Sequence, residues 1–129
     1  MYNLAAQTVA IEADVTFDSN GPITSSFSHT PSTSSIAINT AGVYSLVFSA
    51  SGVEPSQFAG FLNGILITGS VYGSGAGTQQ NTGQVIFLGT AGDALTIRNH
   101  SSAAAVTLQT LAGGTQINTN ASVVLLKLA

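Results

Sequence analysis

The chain reads as an all-β domain, a sandwich or jelly roll of about ten short strands spanning residues 1–129. Three observations predict this. β-Branched and aromatic runs alternate with Gly, Asn, Ser and Pro at nearly even spacing, the pattern of strands joined by turns. No long window keeps apolar residues at i, i+3, i+4 and i+7, so no amphipathic helix is expected. The length suits one domain with a real hydrophobic core.

The elements follow in order. Tyr2 to Gln7 and Val9 to Phe17 read as an opening strand pair. In the second strand Val9, Ile11, Ala13, Val15 and Phe17 alternate on one face, which sends Glu12 and Asp14 to the wet face. Asp18-Ser19-Asn20-Gly21-Pro22 is a turn. Ile23 to Phe27 is a short strand, Ser28 to Ser34 a polar loop, and Ser35 to Asn39 a second short strand. Val43 to Ala50 is a long strand entered from the turn Asn39-Thr40-Ala41-Gly42. Ser51 to Ser56 is a loop. Gln57 to Leu62 and Ile65 to Thr68 flank Asn63-Gly64, the strongest short signal for a hairpin. Gly69 to Gly83, rich in Gly and Gln, reads as an exposed loop or edge-hairpin tip and a contact surface. Gln84 to Leu88, the turn Gly89-Thr90-Ala91-Gly92-Asp93, and Ala94 to Arg98 come next. Val106 to Thr110 and Ser122 to Leu128 complete the strands, with Ala112-Gly113-Gly114 between them.

Charge is the second informative feature. Two basic and five acidic residues make 5% of the chain, against about 25% in an ordinary soluble domain. Yet 44% of residues are hydrophobic, and no apolar run approaches the ~20 residues of a spanning helix. A chain so poor in charge is expected to cover apolar surface with copies of itself. In Val123-Val124-Leu125-Leu126 and Ser45-Leu46-Val47-Phe48 the sequence places apolar residues on both faces of a strand. Such a strand is either sunk in the centre of the sandwich or meets a neighbouring subunit with its second face. Arg98 and Lys127 are too few to neutralise a phosphate backbone, so nucleic acid and anionic membrane are excluded as partners. There is no cysteine, hence no disulfide and no thiolate metal site. Met1 leads straight into Tyr2-Asn3-Leu4 without a basic leader region, as expected for a mature fragment whose upstream part was removed.

Several segments resemble a known family. Asn39-Thr-Ala-Gly-Val-Tyr-Ser-Leu-Val-Phe resembles the turn-then-strand segment of trimeric heads of the tumour-necrosis-factor and complement collagen-like jelly-roll type. Leu88-Gly-Thr-Ala-Gly-Asp93-Ala-Leu-Thr-Ile resembles the Gly-Asp turn of the same superfamily. From Tyr2-Asn-Leu through Phe61-Leu-Asn-Gly-Ile-Leu-Ile to Asn120-Ala-Ser-Val-Val-Leu-Leu-Lys-Leu-Ala, the chain is similar to the C-terminal domain of BclA-type collagen-like glycoproteins of bacterial spore surfaces. The resemblance implies a ten-stranded jelly roll, a homotrimer, and a place at the tip of a collagen-like stalk outside the cell. It implies no catalytic residue and no cofactor. No Gly-X-Y repeat occurs in this chain. A trimerising head would hold three stalks together and in register, which the crowded collagen axis requires.

Candidate chemistry is thin. Glu12, Asp14 and Asp18 form the one acidic cluster, a calcium site on paper but more simply the solvated face of a strand. His29 and His100 read as surface-loop residues, and no Gly-x-Ser-x-Gly elbow is present to activate a serine. The chain is therefore expected to be no enzyme. Arg98 or Lys127 is expected either to pair with Asp93 or Glu54 at a subunit interface or to snorkel at the surface. Tyr44 reads as core. Asn99-His-Ser and Asn120-Ala-Ser match the glycosylation pattern by coincidence. The trimer interface is assigned to Leu46, Phe48, Leu95, Ile97, Val124 and Leu126, on the strands 43–50, 94–98 and 122–128. The alternative is a carbohydrate- or receptor-binding head, with Tyr72, Gln79 and Gln80 as its contact loop. The partners expected are copies of the chain, a stalk, and under the alternative a host glycan or receptor.

Overall fold

The computed structural model describes residues 1–129, and it is all-β with no helix. Its strands are β1 (Tyr2–Asn3), β2 (Gln7–Val9), β3 (Phe27–His29), β4 (Ile36–Ile38), β5 (Gly42–Ser51) and β6 (Ser56–Leu62). They continue as β7 (Ile65–Leu66), β8 (Tyr72–Ser74), β9 (Gln80–Gly89), β10 (Ala94–Asn99), β11 (Val106–Leu108) and β12 (Ala121–Lys127). One sheet has the order β1-β12-β5-β9, and the other β3-β4-β10-β6-β7 with β8 also on β6. A ribbon of β11 and β2 completes the architecture, and every pairing is antiparallel.

The two main sheets share one sandwich-like core. The four-stranded sheet sends in Tyr44, Leu46, Phe48 and Ala50 from β5, Phe87 from β9, and Val123 and Leu125 from β12. The six-stranded sheet answers with Ile36 and Ile38, Phe58, and Leu95 and Ile97. Strict period-2 burial on β5 and β10 explains why these segments are strands: alternate residues are apolar, so one face empties into the core. Each such large side chain, fully buried, is worth about 1.5–3 kcal/mol of transfer energy. The Asn63-Gly64 hairpin forms as expected, with φ of 53° and 76°, the left-handed pair that a type I′ turn requires. Gly83 is needed for another reason: a Cβ there would run into the rings of Phe48 and Tyr72.

Several expectations are corrected. Twelve strands are present rather than ten, because the opening and middle segments break into short pieces. Val9 to Phe17 is not one strand. After β2 the chain turns, Ala13 N donating to Ala10 O, with Glu12 at φ 62°. The turn throws Ile11 out to 48% exposure while Val15 and Phe17 remain in the core. The strand expected at Ile23 to Phe27 begins only at Phe27, so His29 lies on a strand and not in a loop. Gly69 to Gly83 contains β8 and the start of β9. The ten-residue β9 continues the ladder with β5 as far as Ser51↔Gln80.

Candidate assembly face

The outer face of the four-stranded sheet is the feature that stands out. Because side chains alternate, the residues between the core positions point away from the sandwich. On β5 these are Val43, Ser45, Val47 and Ser49; on β9 they are Thr82, Gln84, Ile86 and Leu88; on β12 they are Ser122, Val124 and Leu126. The register sets them in rows. Leu88 lies beside Val43, Ser45 lies between Ile86 and Leu126, and Val47 lies between Gln84 and Val124. The next row, Thr82, Ser49 and Ser122, is hydroxyl-bearing throughout. No position in these rows is charged. Leu88 is 75% exposed, Ile86 64%, Leu126 55% and Val124 54%. The face is thus apolar at one end and neutral polar at the other.

Only part of the interface assigned from sequence lies here. Val124 and Leu126 are on the face. Leu46, Phe48, Leu95 and Ile97 are not: all four are essentially fully buried within the sandwich of a single chain. The correction has a simple cause. In Tyr44-Ser45-Leu46-Val47-Phe48, Tyr44, Leu46 and Phe48 share one parity, and the two largest rings on that parity fill the core. The outward parity, carried by Val43, Val47, Ile86 and Leu88, was the set sequence reasoning missed. Its signal was present in the alternation, but alternation alone does not say which parity faces in.

The contact loop does not gather. Tyr72 is half-buried, its ring edge-on to Phe48 at 6.1 Å and its hydroxyl donating to the Gln84 carbonyl oxygen at 3.1 Å. Gln80 opens β9 and donates to Ser49 Oγ at 2.6 Å, so it belongs to the polar end of this outer face. Gln79 lies apart, with its Oε1 3.4 Å from Ser74 Oγ.

The edge of the sheet beside β12 is open. β1 pairs only with Ala121 and Ser122, and Met1 exchanges backbone bonds with Val123. Beyond that point β12 borders two grooves of about 370 and 460 Å³, walled by Pro22 and Phe27. Lys127, at the end of this edge, is the sheet's one charged side chain.

All five carboxylates are engaged elsewhere. Glu12 accepts from His100 Nδ1 at 2.9 Å and from the Ser101 amide, and these bonds, the histidine first, hold its carboxyl below the usual range. Asp14 accepts from Arg98 Nε at 2.9 Å, which corrects the expected pairing with Asp93 or Glu54. Around Asp18, burial pushes the carboxyl up, but bonds from the amides of Ala5 and Leu4 and from Ser19 together bring it down. Glu54 is lowered by the Thr107 amide, and Asp93 by the Thr90 amide and then by Asn63. Glu12, Asp14 and Asp18 therefore turn to three separate partners and do not converge on a shared point. Both glycosylation-like asparagines are buried: Asn99 donates to Val9 O, and Asn120 bonds Asn3 and Ala5 O. A scan against protein-family models and a search of curated proteins find no match to this chain.

Proposed function

We propose that the chain is a non-catalytic assembly and display head: a homotrimer of jelly-roll domains outside the cell, of the kind that ends a collagen-like stalk on a bacterial spore or cell surface. One observation carries the reading, the charge-free outer face of β12-β5-β9 with four large aliphatic side chains more than half exposed. Exposed aliphatic side chains gathered on one charge-free face favour association with another surface. The sheet order β1-β12-β5-β9 against β3-β4-β10-β6-β7, with long-range crossings between sheets, supports the jelly-roll part of the reading. The function is association itself. Packing the aliphatic rows against neighbours fixes three chains side by side, and the local concentration of whatever each chain carries rises accordingly.

The decisive measurement is solution mass by light scattering across a dilution series. A species of about 39 kDa, three times the 13.0 kDa chain, that survives dilution supports the reading. A monomer at every concentration removes it.

A second reading, a head that binds a neutral saccharide, is favoured by a separate groove of about 250 Å³. Ser56, Gln57, Ser74, Ser101 and Ser102 line it with hydroxyls and amides and no charge. A glycan array on the wild-type protein and on Gln57→Ala separates the two readings, because an assembly head alone gives no signal in either.

A further inference from the structure

The chain contains two Asn-Gly pairs, Asn20-Gly21 and Asn63-Gly64. In such a pair the glycine amide, unshielded by a side chain, can attack the neighbouring side-chain carbonyl carbon, which is one reason asparagine is heat-labile. The fold treats the two pairs differently. Asn20 is half-buried, its Nδ2 donating to the His29 carbonyl oxygen at 2.8 Å and its Oδ1 2.6 Å from Nδ1 of the buried His29 ring. Asn63 and Gly64 are both exposed, at the tip of the hairpin between β6 and the two-residue edge strand β7. A Cβ at Gly64 would meet nothing within 4 Å, and the Gly64 amide donates to no group of the protein.

Asn63 is tied down from the other side. Its Nδ2 donates to Asp93 Oδ1 at 2.8 Å, and its Oδ1 accepts from the Ala94 amide at 2.9 Å. Its own backbone amide donates to the Ala94 carbonyl oxygen at 2.8 Å. Three bonds thus clip the hairpin tip onto the start of β10. The side-chain part of the clip needs a donor toward a carboxylate and an acceptor for an amide, and the two atoms of one carboxamide supply both.

We propose that Asn63 is a self-modification site, a clip that opens irreversibly when its side-chain amide is lost. When the hairpin tip frays from β10, the Gly64 nitrogen attacks Asn63 Cγ. The bond from Gly64 N to Cγ forms, the bond from Cγ to Nδ2 breaks, and Nδ2 leaves as ammonia with the proton given up by Gly64. Water then opens the five-membered imide at either carbonyl, leaving aspartate or isoaspartate at position 63. Water is the one co-reactant, and nothing is oxidised or reduced. Neither product restores the clip. Aspartate sets a second carboxylate where Nδ2 stood, 2.8 Å from that of Asp93, and two carboxylates so close resist joint ionisation. No cation relieves them: Arg98 is paired with Asp14, His100 with Glu12, and Lys127 belongs to the other sheet. Isoaspartate lengthens the main chain by one carbon and spoils the two-residue turn. The edge strand β7, which is paired only through Phe61 and Leu62, then loosens. The site lies on the six-stranded sheet, so it stays accessible whether or not the outer face of β12-β5-β9 is covered.

The test is incubation of the wild-type protein in mildly alkaline buffer. Nitrogen–proton correlation spectra follow each asparagine side chain, and tandem mass spectrometry identifies the products in peptides spanning positions 20 and 63. The Asn63 side-chain amide should disappear first, with aspartate and isoaspartate both found at 63 and Asn20 still intact. In the modified fraction, backbone exchange at positions 63 and 94, normalised for intrinsic rate, should rise while central β5 does not follow. Asp93→Ala removes the acceptor of Nδ2 and should speed loss of the Asn63 amide roughly tenfold, the weight of one bond to a charged group. Loss at Asn20 before Asn63, loss at Asn63 no faster than at the exposed Asn39, or unchanged exchange in the modified chain overturns the proposal. Should Asp93→Ala fail to fold, the order of loss in the wild-type protein decides.

Discussion

The two outer faces of the sandwich solve one problem in opposite ways. On the six-stranded sheet, Phe61 points outward, yet it is only 5% exposed. Arg98 lies over its ring at 4.1 Å, His100 stands edge-on at 5.1 Å, and Asp14 and Glu12 hold these two side chains in place. On the four-stranded sheet, Ile86 and Leu88 point outward from β9 and nothing in the chain covers them. The chain can roof an outward apolar residue with its own charges, and it spends four of its few titratable side chains to do so on one face. The other face it leaves free of charge and open, which suits the proposed association with another copy, since a buried charge without a partner would cost several kcal/mol.

Substitutions can break this comparison, beginning with the largest expected effect. Phe48→Ala, in the shared core, should cost about 3–5 kcal/mol in denaturant unfolding. The double change Ile86→Asp with Leu126→Asp should instead leave the far-ultraviolet spectrum intact and reduce the solution mass to that of one chain; retention of the oligomer would remove the face from the interface. Arg98→Ala uncovers Phe61 and strips Asp14 of its partner, and should lower stability by about 1–3 kcal/mol without changing mass. On acidification, Glu12, Asp18, Glu54 and Asp93, all lowered in the folded chain, contribute stability above the ordinary carboxylate range. That contribution should be lost as pH falls below about 4, with Glu12→Gln flattening part of the loss in a pH series of unfolding curves. The smallest effect sharpens the contrast: Ile117→Ser alters a side chain that is 65% exposed but off the face, and should change neither mass nor stability by more than about 0.5 kcal/mol.

How much of this was legible in the sequence differs element by element. The Asn63-Gly64 hairpin, the turn at 89–93, and the strands β5, β10 and β12 were readable because local chemistry decides them: left-handed turn residues at one point, a run of alternating apolar residues at another. The segment 10–26 was not. Its alternation from Val9 to Phe17 is genuine in sequence, but Glu12 adopts φ 62° with its carboxylate bonded to His100 and Ser101, 88 and 89 residues away. No local pattern announces a turn stabilised from that distance. His29 was hidden for a more local reason, since its partners Asn20 and Thr33, nine and four residues away, close round the ring only once the chain has folded back beside β3.

By itself the sequence determined that the chain is all-β and poor in charge, with apolar residues of both parities in segments 45–48 and 123–126. Those are properties of composition and period, and they survive any packing. Which aliphatics fill the core and which remain outside was decided only by tertiary structure. Leu46 and Val47, or Leu125 and Leu126, are chemically near-equivalent neighbours, and a period-2 pattern is unchanged when its two faces are exchanged. Tyr44, Phe48 and Phe58 break that tie, because seating their rings between the sheets removes the most apolar surface from water. Once they are placed, Val124, Leu126, Ile86 and Leu88 have only the outside left to occupy.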